Sequence, residues 1–278
     1  MSAAILTALM HREATTTFAP AMSSLPTALK RAILGVTLLV SLSAGAYVLP
    51  QGAILRRLVE ARSEMRLVTL KVDGAAIFSG PALAPAASAL GLPSDRPELP
   101  VDGTLSLRLP GRCRLDVSTP EGRRAGMVMN GGRRKAVGPE LAALGAALDQ
   151  VCPLLASRSG SDTEARAALE RHLRALGVEP GRSSLARFGG EVAYVLGNPA
   201  EGKPQFWVYK DTFRPARMRY TDKAGMAWDV RFLDYTSPTT GEWIPRTLEV
   251  WRGSERALRF TALTGDSRTA LPDALFAL

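Results

Sequence analysis

Histidine and cysteine are almost missing from this chain. Among 278 residues there are two of each: His11 and His172, Cys113 and Cys152. So few nitrogen and sulfur ligands cannot assemble a zinc constellation. The sequence also has no H-E-x-x-H helix, no G-x-S-x-G elbow and no G-x-G-x-x-G fingerprint. A phosphate loop over residues 197–204 fails because Pro204 stands where a hydroxyl is needed to ligate magnesium. His172 lies between Arg171 and Arg174 on a helical stretch, and a lone histidine on such a charged face is expected in solvent. Asp229 and Asp234 flank an apolar strand with opposite parity, so they do not form a carboxylate pair. These absences predict no catalytic residue, no metal and no cofactor, and hence a protein that is not an enzyme.

Aromatic residues are scarce too, at 6%. Trp228 and Phe232 share an apolar strand face and point away from Arg231, whereas nucleic-acid binding needs aromatics interleaved with cations. No nucleic-acid partner is expected, although the chain carries a net charge of +9 and a pI near 10.1. The positive charge is nearly all arginine and is scattered, which fits a solvated basic surface. Hydrophobic residues make up 46% of the chain, enough for a sizeable core.

The N-terminus carries a signal. Lys30 and Arg31 precede an uninterrupted apolar run, and Ala44-Gly45-Ala46 fits a cleavage site. Residues 1–46 therefore read as an export signal and 47–278 as the mature chain, placed in the periplasm. Met22 would make a more usual start, residues 1–21 being otherwise a long n-region. The alternative is an uncleaved inner-membrane anchor running on to Leu49. Export leads to an oxidising compartment, where Cys113 and Cys152 either pair or remain as buried thiols. Their spacing does not decide between the two.

Periodicity orders the rest. Ile54, Leu55, Leu58 and Val59 mark a helix over 52–65, and residues 66–78 look extended. The prolines of 79–100 read as a loop, with a short helical turn at 85–90. From Val101 the period becomes two: Leu105, Leu107, Cys113, Leu115, Val117, Met127 and Met129 fall on apolar faces, and Asn130-Gly131 marks a hairpin. A helical insertion follows near 139–177. Its first helix (139–156) stripes Leu141, Leu144, Leu148, Val151, Cys152 and Leu155, with Pro153 ending or kinking it. Its second (161–177) opens with Ser161 and Glu164 at capping-box spacing. Six strands then form a meander at 190–196, 204–210, 213–221, 226–235, 243–252 and 256–264. There Met218, Trp228, Val230, Phe232, Leu248, Val250, Leu258 and Phe260 face one way, while Arg217, Arg219 and Arg231 line the wet side.

This order of elements resembles the periplasmic outer-membrane lipoprotein carrier and receptor superfamily. In residues, "GTLSLRLPGRC" is similar to the family's strand pair, with Gly103, Leu105 and Pro110 at matching positions. The family's lid-latching arginine falls on Leu109 and its phenylalanine on Cys113. "LPDALF" resembles the family's Asp-x-x-Phe ending at Asp273 and Phe276, and "KDTFRP" its Lys-Asp-Thr-x-x-Pro turn. The resemblance implies an α+β fold: an unclosed antiparallel β half-barrel of about nine to eleven strands, with two or three helices as a lid over an apolar cavity. It implies binding of lipid or lipoprotein acyl chains, for transport or sorting in the cell envelope. The cavity residues expected are Leu105, Leu107, Val117, Met127, Met129, Met218, Trp228, Val230, Phe232, Leu248, Val250, Leu258 and Phe260. The expected partners are these chains and the envelope membrane surface or a membrane protein. The alternative is an envelope sensor or assembly module that holds a protein or peptide in the same groove.

Overall fold

The structure, a computed structural model, describes residues 48–64, 67–156, 160–235, 237–238, 240–241 and 244–278. The export signal and the anchor alternative lie outside them. Among the described residues no helix is long and apolar enough to cross a membrane.

Twelve strands form one antiparallel sheet. They are β1 (Thr69–Ser79), β2 (Glu98–Arg108), β3 (Arg112–Ser118), β4 (Arg124–Asn130), β5 (Arg133–Val137), β6 (Ser183–Phe188), β7 (Glu191–Gly197), β8 (Gln205–Tyr209), β9 (Pro215–Thr221), β10 (Ala227–Leu233), β11 (Thr247–Arg252) and β12 (Glu255–Asp266). The α-helices among the described residues are α1 (Gln51–Ser63), α2 (Leu83–Leu90), α3 (Ala142–Val151) and α4 (Asp162–Ala175). Across the sheet the order is β5-β4-β3-β2-β1-β12-β11-β10-β9-β8-β7-β6. The chain lays five strands outward from the centre. It then crosses through α3 and α4 to the opposite edge and lays seven strands back, until β12 pairs with β1. The edges β5 and β6 are not paired with each other, so the sheet stays open as a half-barrel.

Alternation explains which face is buried. Along β3 every second residue, Cys113, Leu115 and Val117, turns inward. β1 and β2 meet at two facing glycines, Gly74 and Gly103, and β1 carries a bulge at Asp73/Gly74 in its pairing with β12. A side chain at Gly103 would sit 2.9 Å from the Phe260 ring, and one at Gly74 2.3 Å from the Thr261 carbonyl. Neither position has room for a Cβ.

β4 is buried on both faces, which accounts for its unbroken apolar run Met127-Val128-Met129. Met127 and Met129 join the main core. Val128 packs outside with Leu271 and Phe276 of the C-terminal segment. That segment is fixed by Asp273, which accepts from Arg108 at 2.8 Å and also from Arg112. Arg114 donates to the Leu275 carbonyl at 3.0 Å, and Asn130 to that of Phe276 at 3.1 Å. The Asp-x-x-Phe ending is therefore a clasp on the outside of β3 and β4.

Among the described residues the half-barrel has more elements than the sequence predicts: twelve strands rather than nine to eleven, and four α-helices rather than two or three. Ser183–Phe188 is the strand that periodicity misses. It is an edge strand, half-buried except at the exposed Arg187, so its residues show no alternating inside–outside contrast. α2 is fixed by burial of Ala86, Ala87 and Leu90, and ends at Gly91 in the left-handed conformation.

Candidate ligand site beneath the helical cover

The interior is organised around α3. Its sequence, AALGAALDQV, is apolar nearly all round, the pattern of a helix buried on every side. Eight of its ten residues are buried. It packs against β3, β4, β10, β11 and β12, so it lies along the concave face rather than beside it. Small residues, Ala143, Gly145, Ala146 and Ala147, allow that close approach.

The thirteen residues expected from the sequence share this concave face and one apolar cluster, and all are buried. Strand register sets them in rows. Met218, Val230, Val250 and Leu258 form one row, and Phe232, Leu248 and Phe260 another. In the other half Leu105 aligns with Leu115 and Met127, and Leu107 with Cys113 and Met129. Val117 stands opposite Gly103. Two of the thirteen, Trp228 and Met129, line cavities at the two ends of α3. Trp228 borders a cavity of about 60 Å³ at the start of α3, with Phe78, Pro85 and Leu141. Met129 borders a cavity of about 320 Å³ at the far end, with Cys152, Leu176 and a polar group of Asp149, Gln150, His172 and Tyr220. The larger void reaches the lower end of the range typical of small-molecule sites.

Three devices hold α3 down. Cys113 and Cys152 are bonded, with their Cα atoms 5.8 Å apart, and tie the C-terminal end of the helix to β3. Beyond that bond, Cys152–Ala156 continues as a wide π-turn carrying Pro153. Arg62 of α1, only 3% exposed, donates to the carbonyls of Pro153 at 3.2 Å and Leu154 at 3.4 Å. Burial pulls its pKa down from 12.5 to about 10. The third device is Arg134 of β5, which pairs with Asp149 and lies 3.7 Å from Glu140. Its guanidinium crosses Gly145, where a Cβ would sit 3.0 Å away. Arg134 thus ties β5 to both Glu140 and α3, and its only sequence signal is its place after Asn130-Gly131.

The polar end of the large cavity departs from expectation. His172 is not on a solvated face. Its ring turns from α4 toward α3, with Nε2 3.0 Å from Gln150 Oε1, and burial pulls its pKa from 6.5 to about 4. That contact puts the proton of the neutral ring on Nε2. The signal was present: position 172 lies three residues after Leu169 and four before Leu176, on the apolar stripe. Gln150 is fully buried, and its Nε2 makes no hydrogen bond among the described residues. The Tyr220 hydroxyl lies near enough for Gln150 to counter part of the rise in pKa that burial imposes on it. Burial likewise raises the Asp149 carboxyl, against the pull of Arg134.

Fold and interior together define an open antiparallel half-barrel with a helix laid along its apolar concave face. No protein-family model matches the chain, and no curated protein sequence does. Among solved structures it is similar to a LolA superfamily protein from Nitrosomonas europaea, at 15% identity and a TM-score of 0.48, over 83% of this chain and 99% of that one. It is also similar to a DUF1329 family protein from Desulfovibrio piger, at 15% identity and a TM-score of 0.39, over 81% and 96% of the two chains. A third is the MucA/MucB complex of Pseudomonas aeruginosa, at 14% identity and a TM-score of 0.27, over 81% and 60%. At these identities no residue role passes to this chain.

Proposed function

We propose that this protein is an exported, non-enzymatic carrier that takes up an acyl chain or another hydrophobic ligand along the concave face now covered by α3, for lipid or lipoprotein transport or sorting in the cell envelope. The observation that carries the reading is α3 itself: an apolar helix on the apolar face of an unclosed sheet, tethered covalently at one end only, with a void at each end. Displacing the untethered end exposes the rows that begin at Met218 and Phe232. An acyl chain replaces the helix contacts there, each buried CH₂ contributing about 0.8 kcal/mol. At the tethered end Gln150 Nε2, beside the Tyr220 hydroxyl, supplies a donor for the carbonyl of an ester or amide. Export rests on residues 29–46.

The test is titration of the protein with a fluorescent fatty-acid probe. Saturable binding is expected, faster in Arg134→Gln, where the tie to α3 is gone. Absence of binding in both proteins would sink the carrier reading. Native mass spectrometry of protein from its own envelope then separates the outcomes: a lipid mass supports carriage, and a stoichiometric polypeptide supports the partner-binding module.

A further inference from the structure

The opposite face of β9, β10 and β11 carries a second site. Arg217 and Arg219 on β9, and Asp229 and Arg231 on β10, point away from the apolar rows. By register Arg219 stands opposite Asp229, and Arg217 opposite Arg231. Asp229 is nevertheless taken by the other two. Arg217 reaches it with Nε at 2.7 Å and Nη2 at 2.5 Å, and Arg231 with Nε at 3.1 Å and Nη2 at 3.0 Å. Aromatic plates fix both guanidiniums. Arg217 lies 5.4 Å from the Trp207 ring and 5.5 Å from Phe188, and Arg231 lies 4.1 Å from Trp251. The sequence predicts a wet arginine face. Instead the Asp229 side chain is 9% exposed and that of Arg217 18%, because the aromatics wall them in.

A cleft of about 500 Å³ opens over this group, within the range of small-molecule sites. The charged residues lining it are Lys203, Arg217, Arg219 and Arg231 on the positive side, and Glu201 and Asp229 on the negative. The cleft thus holds two positive charges in excess. Neither Arg219 nor Lys203 has an acidic partner among the described residues. Glu249, the next acid on β11, is not in the lining; it lies 4.0 Å from Arg231 and closer to Arg256 and Arg259.

We propose that this cleft binds a phosphate monoester dianion. Two excess cations call for a ligand of charge about −2. Guanidiniums already fixed on Asp229 and against aromatic plates offer their remaining N–H groups to phosphate oxygens at less ordering cost than mobile surface lysines. Arg219 and Lys203 supply the unneutralised charge, and Arg217 and Arg231 supply positioned N–H groups beside it. The charged groups of the cleft lie on the opposite face from the acyl rows, with only Trp228 and Tyr220 shared between its lining and those of the interior cavities, so the cleft variant tests it apart from acyl binding. The phosphate could be carried by a soluble ester or by the headgroup of an acidic lipid, and both offer the same group to the cleft.

The experiment has two arms. Glycerol phosphate is titrated into the full-length protein by calorimetry, and vesicles of phosphatidylcholine with or without phosphatidic acid are used in flotation. Two variants are compared with wild type: Lys203→Gln/Arg219→Gln in the cleft, and Arg133→Gln/Lys135→Gln on β5, which removes the same charge elsewhere. Saturable glycerol phosphate binding, weakened about tenfold or more in the cleft variant only, is expected. Flotation dependent on phosphatidic acid and lost in the cleft variant would assign the lipid as the source. Soluble binding without flotation would assign a free ester. No binding of either probe by wild type, or equal losses in both variants, would overturn the proposal.

Discussion

Burial, not a charged neighbour, sets the protonation of His172. The folded ring titrates near 4 and the unfolded one near 6.5. Between those values the unfolded chain holds more protons, so the stabilisation is complete above about 6.5 and is lost as pH falls toward 4. The raised carboxyl of Asp149 works in the opposite sense, so the histidine must be isolated by substitution. Urea denaturation at pH 7 and pH 4.5 should show a larger loss for wild type than for His172→Gln; equal losses would mean that the ring is solvated. Gly103 makes a steric prediction. Its missing Cβ leaves room for Phe260, so Gly103→Ala should destabilise by about 1–3 kcal/mol through overpacking, read from the urea midpoint. One dimension carried only part of the signal for His172 and none for Gly103. The stripe containing His172 was visible, but its charged neighbours Arg171 and Arg174 outweighed it. The contact between Gly103 and Phe260 joins residues more than a hundred positions apart.

At the scale of elements, α3 decides how the interior behaves. The Cys113–Cys152 bond closes a loop across 39 positions, and in the chain-entropy model it contributes about 4 kcal/mol. Replacing both cysteines by alanine should lower the denaturation midpoint accordingly, and an unchanged midpoint would show that the pairing does not restrain the unfolded chain. Arg134 acts on the same helix, but from a half-exposed position, so its ion pairs contribute only about 0.2–1 kcal/mol. Amide exchange in Ala142–Val151 should accelerate roughly two- to fivefold in Arg134→Gln while exchange in β1 and β12 stays unchanged. The apolar stripe of α3 was legible from Leu141, Leu144 and Leu148. Its burial on the remaining sides was not, because alanine and glycine are compatible with either environment.

For the whole molecule, the controlling contact is the pairing of β1 with β12. Lys71 meets Asp266, and Phe78 meets Leu258, across a stretch of about two hundred residues. Such long-range closure places folding among the slower, high-contact-order proteins. It also makes the sheet one cooperative unit. Phe260→Ala, at this central seam, should cost about 3–5 kcal/mol and shift fluorescence- and circular-dichroism-detected unfolding together. Separate transitions would mean that the two halves of the sheet fold independently.

Period and punctuation alone determined most of the architecture. Alternation from Leu105 to Met129 and from Met218 to Phe260 specified strands and their inward faces, Ser161 and Glu164 specified a helix start, and Asn130-Gly131 a hairpin. These are local effects, set by backbone geometry and by which side of an element is apolar. Tertiary structure decided what lies on those faces. It placed a whole helix over the apolar rows, turned His172 and Gln150 toward each other, and fixed Arg217 and Arg231 on Asp229 between aromatic plates. Each of these depends on residues brought together from distant strands, where close packing and loss of water determine burial, charge and partner. No periodicity within a single segment contains that information.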